Sequence, residues 1–76
     1  MSTNRIEINP NVMLGKPVVR GTRIPVELVL RKLGEGAAMG DLCDAYPRLE
    51  VQDVLACLAY AADTVAHGET LSTEPA

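Results

Sequence analysis

GKPVVRGTRIPV, residues 15–26, decides how the rest of the chain is read. Its prolines and glycines punctuate the backbone, and it carries Lys16, Arg20 and Arg23. Val18 to Ile24 favours an extended segment, because β-branched residues suit strand geometry. Gly21 in its middle predicts a bulge or a close backbone approach. Pro25 sets its own φ and suits the first turn of a helix. The stretch therefore predicts a change from strand to helix, with three cations at the junction. Two readings of those cations stand side by side. They are presented to an anionic partner, or they pair with Glu7, Glu27 or a neighbouring subunit. The stretch is not a phosphate loop, since no Gly-Lys-Ser/Thr ending is present.

Upstream, Arg5-Ile6-Glu7-Ile8 alternates charged and β-branched residues, the period of a half-buried strand with Ile6 and Ile8 facing a core. Asn9-Pro10-Asn11 stops it. Downstream, Val26, Val29, Leu30 and Leu33 share one face of a helix, with Glu27 and Arg31 four apart on its exposed side. Gly34 and Gly36 end it. Met39, Leu42, Cys43 and Tyr46 predict a second helix, closed by Pro47. A third helix spans about Val51 to Ala66. Val51, Val54, Leu55, Leu58, Ala62 and Val65 are expected to line one side of it, and His67-Gly68 to mark its end.

The chain has 76 residues, enough for one domain, here residues 1–68. Residues 69–76 are polar and expected to be disordered. With no Phe or Trp and two Tyr, aliphatic residues must build a small core. Self-association would enlarge it, so a homo-oligomer, most simply a dimer assisted by the N-terminal strands, is expected. The net charge of −3 argues against indiscriminate nucleic-acid binding. It hides a split of +4 over residues 1–34 (six cations, two acids) and −7 over residues 35–76 (one cation, eight acids). The split suits two partners on two faces, or internal complementarity.

Cys43 and Cys57 read as buried free thiols, and with His67 they lack compact metal-ligand spacing, so no metal is expected. No catalytic cluster and no cofactor motif is apparent. No signal-peptide pattern and no membrane-spanning apolar run is present, which suggests a cytoplasmic protein.

A short helix, a tight turn at Pro47-Arg48-Leu49-Glu50 and a longer helix form the outline of a helix-turn-helix. On that reading Arg48 would meet guanine or phosphate and Gln52 adenine. Lys16, Arg20 and Arg23 would be the principal phosphate ligands, because Glu50, Asp53 and Asp63 leave the third helix acidic. The plainer alternative is an αα-hairpin that only buries Leu42, Tyr46, Leu55 and Leu58.

GKPVVRGTRIPV followed by LCDAYPRLEVQDVLACLAYAAD resembles the small-protein family called domain of unknown function 433, over Ile8 to about Asp63. Gly15, Lys16, Pro17, Gly21, Thr22, Arg23, Ile24 and Pro25 fit its first motif. Tyr46, Pro47, Leu49, Asp53, Val54, Leu58, Tyr60 and Ala61 fit its second. Ala45 replaces the usual Asp, and Glu50 stands where Ser or Thr would cap the third helix. The resemblance implies a mainly α fold, a small homeodomain-like helix-turn-helix domain of three helices with short N-terminal β-strands. It also implies an antitoxin of a type II toxin–antitoxin pair, which neutralises a PIN-like ribonuclease toxin, dimerises and binds its operator DNA. The alternative is a protein-interaction or assembly module that forms a homo-oligomer without DNA.

Overall fold

The computed structural model describes residues 5–68. It is mainly helical, with a small antiparallel sheet of β1 (Ile6–Glu7) and β2 (Val18–Val19). Helices α1 (Val26–Gly34), α2 (Met39–Ala45) and α3 (Val51–Gly68) follow in order. The polar start and the tail from residue 69 lie outside the described residues.

The sheet is shorter than the alternation predicts. Ile6 pairs with Val19 and Glu7 with Val18. The next register position would set Ile8 opposite Pro17, and the pairing does not extend to it. Ile6 is buried, but Ile8 is 59% exposed and does not face the core. Between the strands the chain makes a left-handed turn, with positive φ at Met13 (53°), Leu14 (59°) and Gly15 (85°). Two of these are non-glycine residues, a conformation that costs roughly 1–2 kcal/mol each.

The extended segment predicted through Ile24 folds back on itself instead. The Thr22 amide donates to the Val19 carbonyl at 3.0 Å and the Val19 amide to the Ile24 carbonyl at 2.9 Å. Gly21 has φ +81°, the value that the third position of a type II turn requires. The Thr22 hydroxyl locks the turn, donating to the Val19 carbonyl at 2.8 Å and accepting from the Ile24 amide at 2.9 Å. Gly21 is thus the tip of a tight turn and not a bulge. A bridge between Val18 and Pro25 closes its base.

Pro25 stands just outside α1, with φ −69° and ψ 144°, and helical geometry begins at Val26. The predicted face holds: Val26 and Val29 are buried, and Leu30 and Leu33 pack beside them. Gly36, at φ +104°, closes α1 as a Schellman motif. Its amide donates to Leu33 at 3.0 Å and that of Ala37 to Lys32 at 3.1 Å. The expected Glu27–Arg31 pair gives way to Glu27–Lys16, at 3.5 Å between exposed side chains. In α2, the N-cap residue Ala38 has no side-chain acceptor, and the Asp41 carboxylate takes up the Ala38 amide at 3.0 Å. Pro47 ends α2, as its sequence position predicts.

Helix α3 packs on α1, α2 and β1. Its buried side is Asp53, Val54, Ala56 and Cys57, with Tyr60 half-buried, and not the predicted stripe. Of that stripe only Val54 is buried, while Val51, Leu55, Leu58 and Val65 are exposed. Both sides of α3 are apolar enough to serve as a core face, so the pattern alone does not choose between them. Small residues do: Ala56 and Cys57, fully buried, let α3 lie close against the other helices.

Cys43 and Cys57 are free thiols, Cys57 buried and Cys43 half-buried. Burial, and secondarily the charge of Asp53, pushes the Cys57 pKa up from 9.0 to about 11. Folding therefore favours the neutral thiol. That contribution is complete below about pH 9 and lost as pH rises toward 11. At pH 8 the thiolate fraction falls about 100-fold relative to the unfolded chain. Alkylation of Cys57 by iodoacetamide, followed by peptide mass spectrometry, is expected to be at least that much slower without urea than with it. Equal rates would show that the thiol is open to solvent.

Candidate nucleic-acid interface

The turn between α2 and α3 is built around Leu49, which is 2% exposed and whose amide donates to the Tyr46 carbonyl at 2.8 Å. With Leu49 inside, Arg48 points outward. Its Nη2 donates to the Gly21 carbonyl at 2.6 Å, across 27 residues of chain. One hydrogen bond thus joins the helix-turn-helix corner to the tip of the basic turn.

Arg23 and Arg48 line the same open hollow of about 670 Å³, with Thr22 and Tyr46 on its walls and Glu7 as its acidic member. Arg20 belongs to the same turn and is exposed. Gln52 lies exposed on the first turn of α3. Lys16 is placed apart from this group. It precedes β2, at the far end of the hairpin from the tip, and is held by Glu27. At about 3.3 Å per residue that is roughly 13 Å from Arg20. The structure therefore brings Arg23 and Arg48 together at one corner, with Arg20 on the same turn and Gln52 on the helix that leaves it.

The acids of this region are occupied differently from what their sequence position suggests. Asp53 is 6% exposed. One of its oxygens accepts the Glu50 amide at 2.9 Å, so Asp53 caps α3 where Glu50 replaces the usual Ser or Thr. The other accepts from Arg5 Nη1 at 2.9 Å, and Glu50 accepts from the same nitrogen at 3.3 Å. The hydrogen bond to Asp53 raises the Arg5 pKa further above its ordinary value. Arg5 thus neutralises much of the acidity at the start of α3. No local pattern marks this role, because its partners lie 45 and 48 residues away.

The remaining exposed side of α3 carries Asp63 and no Lys or Arg. His67 completes its last turn, with Nδ1 against the Asp63 carbonyl at 2.7 Å. Leu14, 94% exposed, is an apolar tip at the left-handed turn. Among the described residues no group of three or more His, Cys, Asp or Glu side chains is placed to hold a metal ion. Nor is any helix among them long and apolar enough to cross a membrane.

Comparison with known proteins matches residues 6–61 to a family described as protein of unknown function, DUF433. An uncharacterized protein of Sinorhizobium fredii, y4eO, is 34% identical over 53 residues, which cover 70% of this chain and 24% of that protein. The crystal structure of a DUF433 member from Anabaena variabilis superposes with a TM-score of 0.77 at 33% identity. That likeness covers 83% of this chain and 62% of the other. The chain thus spans about a quarter of its curated relative and under two thirds of the solved one. With the family model covering both motifs, the turn at Gly15–Val26 and the Tyr46–Ala61 segment, this chain belongs to the DUF433 family.

Proposed function

We propose that this chain is an antitoxin-like regulator, a cytoplasmic protein of a type II toxin–antitoxin pair that binds a PIN-like ribonuclease toxin and its own operator DNA. The observation that carries the DNA part is the hydrogen bond from Arg48 to Gly21, which sets Arg48 beside Arg23 at one hollow. Phosphate oxygens are the natural ligands of such a group, since guanidinium forks bind them bidentately. Contact with DNA on this reading runs through the corner, with Gln52 nearest the bases, and not along α3. Beyond Gln52, the exposed side of α3 is mostly Leu, Val and Ala with Asp63 and no Lys or Arg, and has little to offer a major groove. The toxin part rests on the family resemblance and on the acidic second half of the chain, which suits a basic protein surface.

A mobility-shift titration with the DNA upstream of the chain's own gene tests the DNA part. A shift at micromolar protein that weakens with salt is expected. Arg23→Ala/Arg48→Ala should weaken it by at least about tenfold and lower the salt slope by about 2. Unchanged binding in that variant, with circular dichroism confirming the fold, would place the DNA face elsewhere. Co-purification with the neighbouring gene product, and the mass of the complex, tests the toxin part.

The second reading, an assembly module that never touches DNA, is favoured by one observation: Val51, Leu55, Leu58 and Val65 are exposed on α3, which carries no Lys or Arg. No shift at micromolar protein in low salt would select it.

A further inference from the structure

The residues that α3 leaves outside are Val51, Leu55, Leu58, Ala62 and Val65. They follow one another at spacings of four, three, four and three. That alternation is the seam of two helices packed side by side, each apolar side chain entering a hole on the facing helix. A core-facing helix of a globular domain carries a broader stripe, and α3 already has one in Asp53, Val54, Ala56, Cys57 and Tyr60. The seam is thus a second apolar face on one helix, and nothing within the described chain covers it.

We propose that a second copy of this chain covers it, through antiparallel α3–α3 packing about a two-fold axis. The borders of the seam suit self-pairing. Gln52, Ala59, Ala61 and Ala66 flank it, so no like charges meet when the face is laid on itself. The alanines also allow the helices to approach closely. Antiparallel packing opposes the two helix dipoles and brings the exposed Glu50 end of one copy toward the His67 end of the other. The helix has 18 residues and is about 27 Å long. Paired along that length at ordinary interaxial distance it buries roughly 1,000 Å² in total, below the stable specific class and within the range of weak, transient interfaces. A dimer with micromolar dissociation is the corresponding expectation. The interface lies on α3 and not on the N-terminal strands.

Sedimentation equilibrium on the full chain from 1 to 300 μM tests it. The wild-type protein is expected to pass from monomer to dimer within that range. Leu55→Glu/Leu58→Glu puts two charges into the seam and should raise the dissociation constant at least about 100-fold. Both positions are exposed in the single chain, so helicity by circular dichroism should be kept. Val65→Glu, at the 70% exposed end of the seam, gives a second variant with little risk to the fold, and should weaken the dimer about tenfold. Ile8→Glu, the same change away from α3, should leave the dimer intact. A wild-type chain monomeric at 300 μM overturns the proposal. So does a dimer that survives the α3 variants, or one that Ile8→Glu dissolves. The interface stands apart from the operator reading: a monomer that still shifts DNA sinks the α3 dimer alone.

Discussion

Asp53→Ala is expected to lower the unfolding free energy by about 3 kcal/mol, judged from the hydrogen bonds that it removes. The carboxylate is buried and makes two kinds of bond at once. It caps α3 through the Glu50 amide and binds Arg5 at 2.9 Å. A lost cap costs about 1 kcal/mol, and a lost hydrogen bond to a charged group about 1.5–3 kcal/mol. A domain of this size has roughly 4–11 kcal/mol in all, so the variant is close to unfolding in mild denaturant. Arg5 would keep only its longer bond, 3.3 Å to Glu50, at the start of α3. Asp53→Asn keeps an acceptor for the Glu50 amide but not the charge, and should fall between the two proteins. Urea titration followed by circular dichroism measures the series. An Asp53→Ala loss below about 0.5 kcal/mol would mean that water replaces both bonds at no cost.

Leu49→Ala should cost a similar amount, about 3 kcal/mol within the 2–5 kcal/mol range of buried leucine truncations. The position is unusual, because connecting turns rarely bury a large side chain. Leu49 is 2% exposed between two exposed neighbours, Arg48 and Glu50. It is the plug that turns Arg48 outward and the α3 cap inward. In a 60–100-residue domain, 3 kcal/mol moves the melting temperature by about 12–24 °C. Differential scanning calorimetry reads this directly. A shift below about 4 °C would show that the corner relaxes into the space and does not depend on its plug. Leu49 and Asp53 serve the same corner, so the double variant should lose less than the sum of the two.

The local devices of this fold were legible residue by residue. Pro47 ends α2 because a residue before proline avoids the helical region. Gly36 closes α1 because its φ of +104° is open to glycine. The Val26, Val29, Leu30, Leu33 face of α1 was readable because its opposite side, with Glu27, Arg31 and Lys32, is charged. Each of these depends on one residue's backbone or on one contrast of polarity. Gly21 stands out in the sequence, but not as the tip of a turn. A glycine in an extended run fits a bulge as well as a turn, and Thr22, whose hydroxyl locks the turn, carries no unique signal.

The candidate site was legible as a set of cations and not as an arrangement. Lys16, Arg20 and Arg23 are neighbours in sequence, yet the hairpin sends Lys16 to Glu27 and keeps Arg20 and Arg23 at the tip. Arg48 joins them from 27 residues away. In sequence, Glu50 and Asp53 weigh against the site; in the structure Arg5 holds both.

By itself, the sequence determined the order of strand, turn and three helices, where α1 and α2 stop, and the motifs of the DUF433 family. Those follow from φ restrictions, a missing amide and the spacing of apolar side chains, all properties of short segments. Only the tertiary structure decided which side of α3 is core. That helix is apolar nearly all round, so its own pattern supports either face. Ala56 and Cys57 allow the closer approach, and Asp53 finds Arg5 only when that side turns inward. The choice left Val51, Leu55, Leu58 and Val65 facing out.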